Sequence, residues 1–102
     1  MSHKKENKAR PEVRVLITRE AQKEFSELPA EIKFRVQEIF ERLRNWPEVS
    51  GAKGLGKELA GQYRIRTGKY RVQFRVDKTT EDEKEVTVIT IVKIGHREGF
   101  YE

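Results

Sequence analysis

The sequence predicts an α+β fold in which an N-terminal strand and a helical hairpin pack on a small, mostly antiparallel four-stranded sheet. Three observations predict it. A short β-branched run opens the folded part, apolar residues then recur at spacings of three and four, and from Leu59 onward the apolar period switches to two. Because 102 residues suffice for one domain, we expect a disordered basic leader over residues 1–12 and a single domain over residues 13–102.

The composition narrows the class of protein. With 22 Lys+Arg, 17 Asp+Glu and a formal charge of +5, the chain suits a polyanionic partner, either a nucleic acid or an acidic protein. No apolar run approaches the length of a bilayer crossing, so neither a membrane span nor a secretory signal peptide is expected. The absence of cysteine excludes disulfides, thiolate zinc sites and a cysteine nucleophile, and agrees with a cytoplasmic location.

The first strand and the helical hairpin are predicted from local signals. Residues 13–17 form the β-branched strand, and Thr18 offers a side-chain cap to the helix that follows. The first helix is expected over residues 19–28, and Pro29 separates it from a second helix with apolar residues at helical spacing. That second helix should end near Trp46, which we interpret as a packing anchor at the helix end.

The rest of the chain is predicted as a flexible surface loop followed by a β-meander. The loop covers residues 51–57, whose glycines lack the spacing of a phosphate-binding loop. Three strands follow, over residues 61–67, 70–77 and 85–94, and the last has apolar residues on both faces, which is typical of a central strand. Residues 78–84 are expected to form the exposed tip of the last hairpin.

A basic patch is predicted on the hairpin between the second and third strands. Gly68-Lys69 favours a type II′ turn, because glycine supplies the positive φ needed at its first position. This turn pairs Arg66 with Arg71 and leaves every strongly apolar pair on one face. The other face carries the polar set Arg64, Arg66, Arg71, Gln73 and Arg75.

Like charges directly across a sheet oppose the roughly 0.2–1 kcal/mol that a favourable cross-strand pair contributes. An anion docked on the patch would reverse the sign of this effect, and guanidinium groups match phosphate oxygens well. The alternative interpretation is a solvated positive face that acids such as Glu58 or Asp77 offset.

A second candidate cluster lies in the C-terminal residues 93–102. Gly95 is expected to end the central strand and to let the chain turn over the sheet. Three polar side chains would then converge near the arginines: His96 could transfer a proton, Arg97 could hold a phosphate and Tyr101 could orient a hydroxyl. The scattered carboxylates and two histidines predict no metal site, so any reaction should be metal-free.

These segments together resemble the RelE/ParE toxin superfamily, and more closely its RelE branch. The resemblance covers about residues 13–102 and depends most on Tyr-Arg-Ile-Arg at 63–66, Gly-Lys-Tyr-Arg-Val at 68–72 and the Gly-His-Arg tail at 95–97. It implies a toxin of a type II toxin-antitoxin system that enters the ribosomal A site and cleaves messenger RNA without a cofactor. It also implies a cognate antitoxin, bound in a hetero-oligomeric complex.

The resemblance also implies roles for individual residues. By position, Arg64 and Arg66 match the basic pair of the family's second strand, Arg71 its phosphate-binding arginine, Arg97 the arginine after the last strand, and Tyr101 the C-terminal tyrosine. Compared members have Lys where this chain has Arg64 and Arg66, and a guanidinium stays charged, so these two are assigned electrostatic roles. The expected sites are catalytic Arg64, Arg71, His96, Arg97 and Tyr101, and RNA-binding Arg64, Arg66, Lys69, Arg71 and Arg75.

Two other functions remain open at this point. A ParE-like protein with the same fold would poison DNA gyrase without nuclease chemistry. A plain RNA- or ribosome-binding module would use the arginines only to neutralise phosphates, and its binding would depend steeply on salt without forming a product.

Overall fold

A computed structural model describes residues 12–96 of the chain; the leader before Glu12 and the segment after His96 lie outside the described residues. One strand is followed by two consecutive helices and then by the remaining strands, a segregated order that is typical of an α+β fold. Their bounds are β1 (Glu12–Ile17), α1 (Arg19–Ser26), α2 (Ala30–Leu43), β2 (Lys53–Gly54), a 3₁₀ turn (Lys57–Leu59), β3 (Gln62–Thr67), β4 (Tyr70–Glu81) and β5 (Lys84–His96).

The sheet has five strands in the order β1-β5-β4-β3-β2. β1 runs parallel to β5, and the other neighbours are antiparallel. The α+β class, the mostly antiparallel sheet and the position of β5 inside the sheet, away from its edges, are thus confirmed. The strand count of four was wrong, because Lys53–Gly54 pairs with β3 inside the segment expected to be a loop. Two residues are too few to show a period in the sequence.

Three predicted boundaries also differ from the structure. Glu12, expected in the leader, is the first residue of β1 and pairs with Val86. α1 ends at Ser26, about half a turn earlier than expected. The segment expected to be an exposed hairpin tip continues β4 as a paired strand up to Glu81. Only Asp82 and Glu83, both with positive φ, form the turn.

The helix boundaries follow local hydrogen bonding. Thr18 caps α1 as predicted, because its Oγ1 accepts a hydrogen bond from the Ala21 amide at 3.1 Å. Pro29 stands at the N-cap of α2, where its fixed φ suits a helix start. Among residues 12–96, no helix is long and apolar enough to cross a membrane.

The core lies between the two helices and one face of the sheet. Its buried members come from both layers and include Ala21, Val36, Ile39, Leu43, Ile65, Val72, Phe74, Ile89, Ile91 and Ile94. Trp46 packs edge-on against Tyr63 and Phe74, with ring centroids 4.8 and 5.6 Å apart, so its predicted role as a packing anchor is confirmed. Burial of this face leaves the opposite face of the sheet without a helix over it within the described residues.

Candidate nucleic-acid interface

The sheet face turned away from the helices, here called the open face, carries the predicted basic patch. The observed register of β3 and β4 is the predicted one: Arg66 pairs with Arg71, Arg64 with Gln73, and Gln62 with Arg75. Gly68 has a φ of 61°, as the predicted turn requires. Because side chains alternate along a strand, all four arginines of the patch project from the open face.

The four arginines differ in exposure. Arg66 and Arg75 are exposed and Arg64 is half-buried, whereas only 5% of Arg71 is exposed. Arg71 is the one charged residue that is buried among residues 12–96. Since charges attract more strongly in a less polar medium than water, a phosphate beside Arg71 would be held more firmly than one beside the exposed arginines.

Arg75 has a carboxylate partner. Its Nε lies 3.0 Å from Oδ2 of Asp77, and both side chains are substantially exposed. The alternative interpretation named Asp77 as an acid that offsets the patch, and this holds at the Arg75 end. An exposed ion pair of this kind contributes little energy, so it would yield readily to a competing phosphate.

A β-bulge in β5 decides which C-terminal side chains share the open face. Gln73 pairs with Lys93 but the next residue, Phe74, pairs with Ile91, so Val92 is an extra residue on β5. The extra residue shifts the alternation after Ile91 by one. Lys93 therefore projects from the open face, while Ile94 is buried against the helices.

The bulge also separates His96 from the arginines. β5 does not end at Gly95 but continues to His96, which pairs with Tyr70. Alternation places His96 on the helix-facing side, and its ring meets the Tyr70 ring edge-on with centroids 5.3 Å apart. The structure thus brings Arg64, Arg66 and Arg71 together but does not bring His96 to them.

The remaining predicted site residues are placed elsewhere or are not described. Lys69 is exposed in the turn that joins β3 to β4, at the end of the open face. Arg97 and Tyr101 lie outside the described residues. Within residues 12–96, no group of three or more His, Cys, Asp or Glu side chains is arranged to hold a metal ion.

Two cations of the open face were missed by the sequence analysis of the patch. Lys53 on β2 pairs with Arg64, and Lys93 on β5 pairs with Gln73. One row therefore crosses four strands in the order Lys53, Arg64, Gln73, Lys93. The spacing of Ile91 and Ile94, three residues instead of two, is the sequence signal that could have revealed the bulge and hence Lys93.

Comparison with known proteins agrees with the fold. A family model described as the ParE toxin of the type II toxin-antitoxin system parDE matches residues 15–101. This range contains both helices and all of the sheet except the first three residues of β1. No curated protein matches the chain.

Solved structures that the chain resembles include RelE toxins. The toxin–antitoxin complex RelBE2 of Mycobacterium tuberculosis is 31% identical, with 86% of this chain and 100% of that chain covered and a TM-score of 0.64. The RelB-RelE complex of Methanococcus jannaschii is 24% identical over 84% and 94% of the two chains, with a TM-score of 0.65. The isolated RelE toxin of Escherichia coli shares the fold at 19% identity, with 81% and 82% covered and a TM-score of 0.61.

Proposed function

Because the chain belongs to the RelE/ParE superfamily of type II toxin-antitoxin toxins, we propose that it is a ribosome-dependent endoribonuclease that cleaves messenger RNA in the A site. The observation that supports this most is the gathering of Arg64, Arg66 and Arg71 on the open face. Guanidinium groups on neighbouring strands suit a chain of phosphates, and the register sets two of them directly opposite each other.

The proposed reaction is metal-free attack by a ribose 2′-oxygen on the adjacent phosphorus. The bond from phosphorus to the 5′-oxygen breaks, the 2′-hydroxyl proton passes to a base, and the leaving 5′-oxygen gains a proton. The products are a 2′,3′-cyclic phosphate and a 5′-hydroxyl. Negative charge grows on the phosphate oxygens in the transition state, and fixed positive groups there lower the barrier.

Arg71 has the environment suited to the scissile phosphate. Its burial weakens the screening of its charge, and we assign it that contact together with Arg97. Arg64 and Arg66 project from the neighbouring strand and would bind the flanking backbone. They are poor proton carriers because a guanidinium stays charged at accessible pH.

We assign the proton-transfer step to Tyr101. His96 was the other candidate, and its place on the helix-facing side beside Tyr70 argues against direct contact with a phosphate at Arg71. A tyrosine hydroxyl both donates and accepts hydrogen bonds, so it can orient the 2′-hydroxyl or relay its proton.

A cognate antitoxin is the second proposed partner. The RelE-like proteins of M. tuberculosis and M. jannaschii were solved as toxin–antitoxin complexes. We propose a hetero-oligomeric complex for this chain as well, in which an acidic amphipathic segment covers the basic surface.

The second candidate function is inhibition of DNA gyrase, because the matching family model is described by ParE. Gyrase poisoning needs no cluster of groups around a phosphate, whereas Arg64, Arg66 and Arg71 form one. The nuclease is therefore preferred over both the gyrase inhibitor and a non-catalytic RNA-binding module.

Induction of the protein in a translating extract tests the proposal. Mapped transcript ends should show codon-phased cuts with cyclic-phosphate termini, and Arg71→Ala should abolish them. Intact transcripts together with trapped gyrase cleavage complexes would establish the second candidate instead. Binding that weakens steeply with salt and yields no product would indicate the non-catalytic module.

A further inference from the structure

We propose that Lys53, Arg64, Gln73 and Lys93 form a phosphate track across the strands, so that a single-stranded RNA backbone crosses β5, β4, β3 and β2 in turn. The inference rests on the proposed function and names the path of its substrate. It adds Lys53 and Lys93 as contacts for phosphates that flank the scissile one.

The track is a direct consequence of register. Lys53 pairs with Arg64, Arg64 with Gln73, and Gln73 with Lys93, so all four side chains leave the same face in one line. Adjacent strands lie about 4.8 Å apart, which makes the line about 14 Å long from end to end. That length exceeds one phosphate group, and cations stand at both ends.

The bulge in β5 gives the track its Lys93 end. Without Val92 as an extra residue, the pairing of Phe74 with Ile91 would continue regularly and set Lys93 opposite Val72, on the core side. The bulge therefore places Lys93 on the open face, where it adds a cation at the β5 end of the row. β-Bulges commonly re-aim side chains in this way beside functional sites.

The track also passes close to the scissile-phosphate contact. Arg71 is two residues from Gln73 on β4, so Arg64 and Lys93 are its diagonal neighbours on the strands to either side. A backbone that follows the row would therefore have a cation on each side of Arg71. This arrangement would hold an RNA strand in place before and after the bond that breaks.

Pairs of like charges across neighbouring strands also support the phosphate track. Lys53 faces Arg64 just as Arg66 faces Arg71, so two like-charge pairs stand on neighbouring rows of one face. Like charges directly opposite each other repel, and a phosphate bound between the two cations would replace that repulsion with attraction. Single-stranded RNA is the polyanion on which the proposed nuclease acts.

The test is the salt dependence of binding to a 2′-O-methylated single-stranded RNA oligonucleotide, which cannot be cleaved because it lacks the free 2′-hydroxyl. Each lysine that neutralises a phosphate adds about 0.7 to the slope of log K against log salt concentration. Lys53→Ala and Lys93→Gln should each reduce the slope by about 0.7, and the double variant by about 1.4. Lys23→Ala, on the exposed surface of α1, removes the same charge and should keep the wild-type slope.

Slopes for Lys53→Ala and Lys93→Gln equal to that of Lys23→Ala would overturn the track, as would failure of the wild-type chain to bind the oligonucleotide at low salt. Lys53 is exposed on a two-residue edge strand, so its substitution reports on binding even where Lys93→Gln unfolds. Cleavage of ribosome-bound message is measured in parallel. Reduced slopes without wild-type cleavage would retain the track and reject the nuclease, and cleavage with unchanged slopes would do the reverse.

Discussion

Arg66 and Arg71 face each other directly across the β3–β4 ladder, yet Arg66 is exposed and only 5% of Arg71 is exposed. A buried guanidinium loses hydration, and a like charge opposite it adds repulsion. Both effects oppose folding, and under the proposed function a phosphate bound between the two guanidinium groups would offset them. Because Arg71 is buried and Arg66 is exposed, the proposal gives them different roles: Arg71 contacts the scissile phosphate, and Arg66 binds the flanking backbone.

Arg71→Ala is expected to reduce cleavage of ribosome-bound message by about 10²–10³-fold, the usual loss when one preorganised donor to a charged transition state is removed. Arg71→Lys should recover only part of the rate, because an ammonium lacks the bidentate fork. Single-turnover cleavage of a programmed ribosome measures both.

Arg66→Ala is the matched comparison, since it removes the partner of Arg71 from the exposed side of the pair. It should lower the rate less than Arg71→Ala, with thermal unfolding of each variant as the control for folding. Equal losses in the two variants would contradict the assignment of the scissile phosphate to Arg71.

A second prediction concerns Glu24, whose Oε1 accepts a hydrogen bond from the Ile94 amide at 2.8 Å. The paired part of β1 ends at Ile17, opposite Ile91, so α1 supplies an acceptor beyond the end of that strand. Glu24→Ala leaves this partly buried amide unsatisfied and should lower the free energy of unfolding by about 1–3 kcal/mol. Glu24→Gln keeps a side-chain oxygen and should cost less.

Urea unfolding measures the stability of the Glu24 variants, and hydrogen exchange at the Ile94 amide reports the bond itself. Gln22→Ala, on an exposed position of the same helix, controls for changes in helix propensity. Unchanged exchange at Ile94 in Glu24→Ala would show that the contact does not protect the end of β5.

The sequence was sufficient to predict the β3–β4 hairpin because two strong signals agreed there. Gly68 fixed the turn, and the two-residue period around it assigned Ile65 to one face and Arg64 to the other. β2 was not predictable in this way, since Lys53–Gly54 is too short for a period. The direction of His96 depended on the bulge at Val92, a tertiary adjustment that a regular alternation cannot represent.

The third prediction follows from Arg14 and Glu81, which join β1 to the far end of β4 across β5. Arg14 Nη1 and Nη2 donate to the two carboxylate oxygens of Glu81 at 3.0 and 2.7 Å. These hydrogen bonds, with the charge of Arg14, lower the pKa of Glu81 below its ordinary value of about 4.5. The stabilising contribution is therefore present above pH 4.5 and is lost as the pH falls through the lowered pKa.

Urea unfolding of wild type and Glu81→Gln from pH 7 down to pH 3 checks whether the Arg14–Glu81 pair stabilises the protein more at neutral pH than in acid. Wild type should be the more stable at pH 7, and the gap should close in the acid range. High salt should narrow it at neutral pH, because both side chains are substantially exposed. Glu83→Gln removes a charge from the same hairpin and should show no such gap; a gap that widens in acid would refute the linkage.

The last prediction concerns the turn that sets the register of the basic rows. Gly68 has a φ of 61°, a conformation that costs residues with a Cβ about 1–2 kcal/mol. Gly68→Ala should lower the free energy of unfolding by about that amount, whereas Gly68→Asn should cost less because asparagine tolerates left-handed backbone.

Gly54→Ala is the matched control, since its Cβ would lie 3.8 Å from the Tyr63 ring, an ordinary contact. Because a one-residue slip would move Arg71 to the opposite face, Gly68→Ala should also reduce cleavage more than Gly54→Ala. Equal stability and equal cleavage in the two alanine variants would mean that strand pairing, and not the turn, determines which face the arginines occupy.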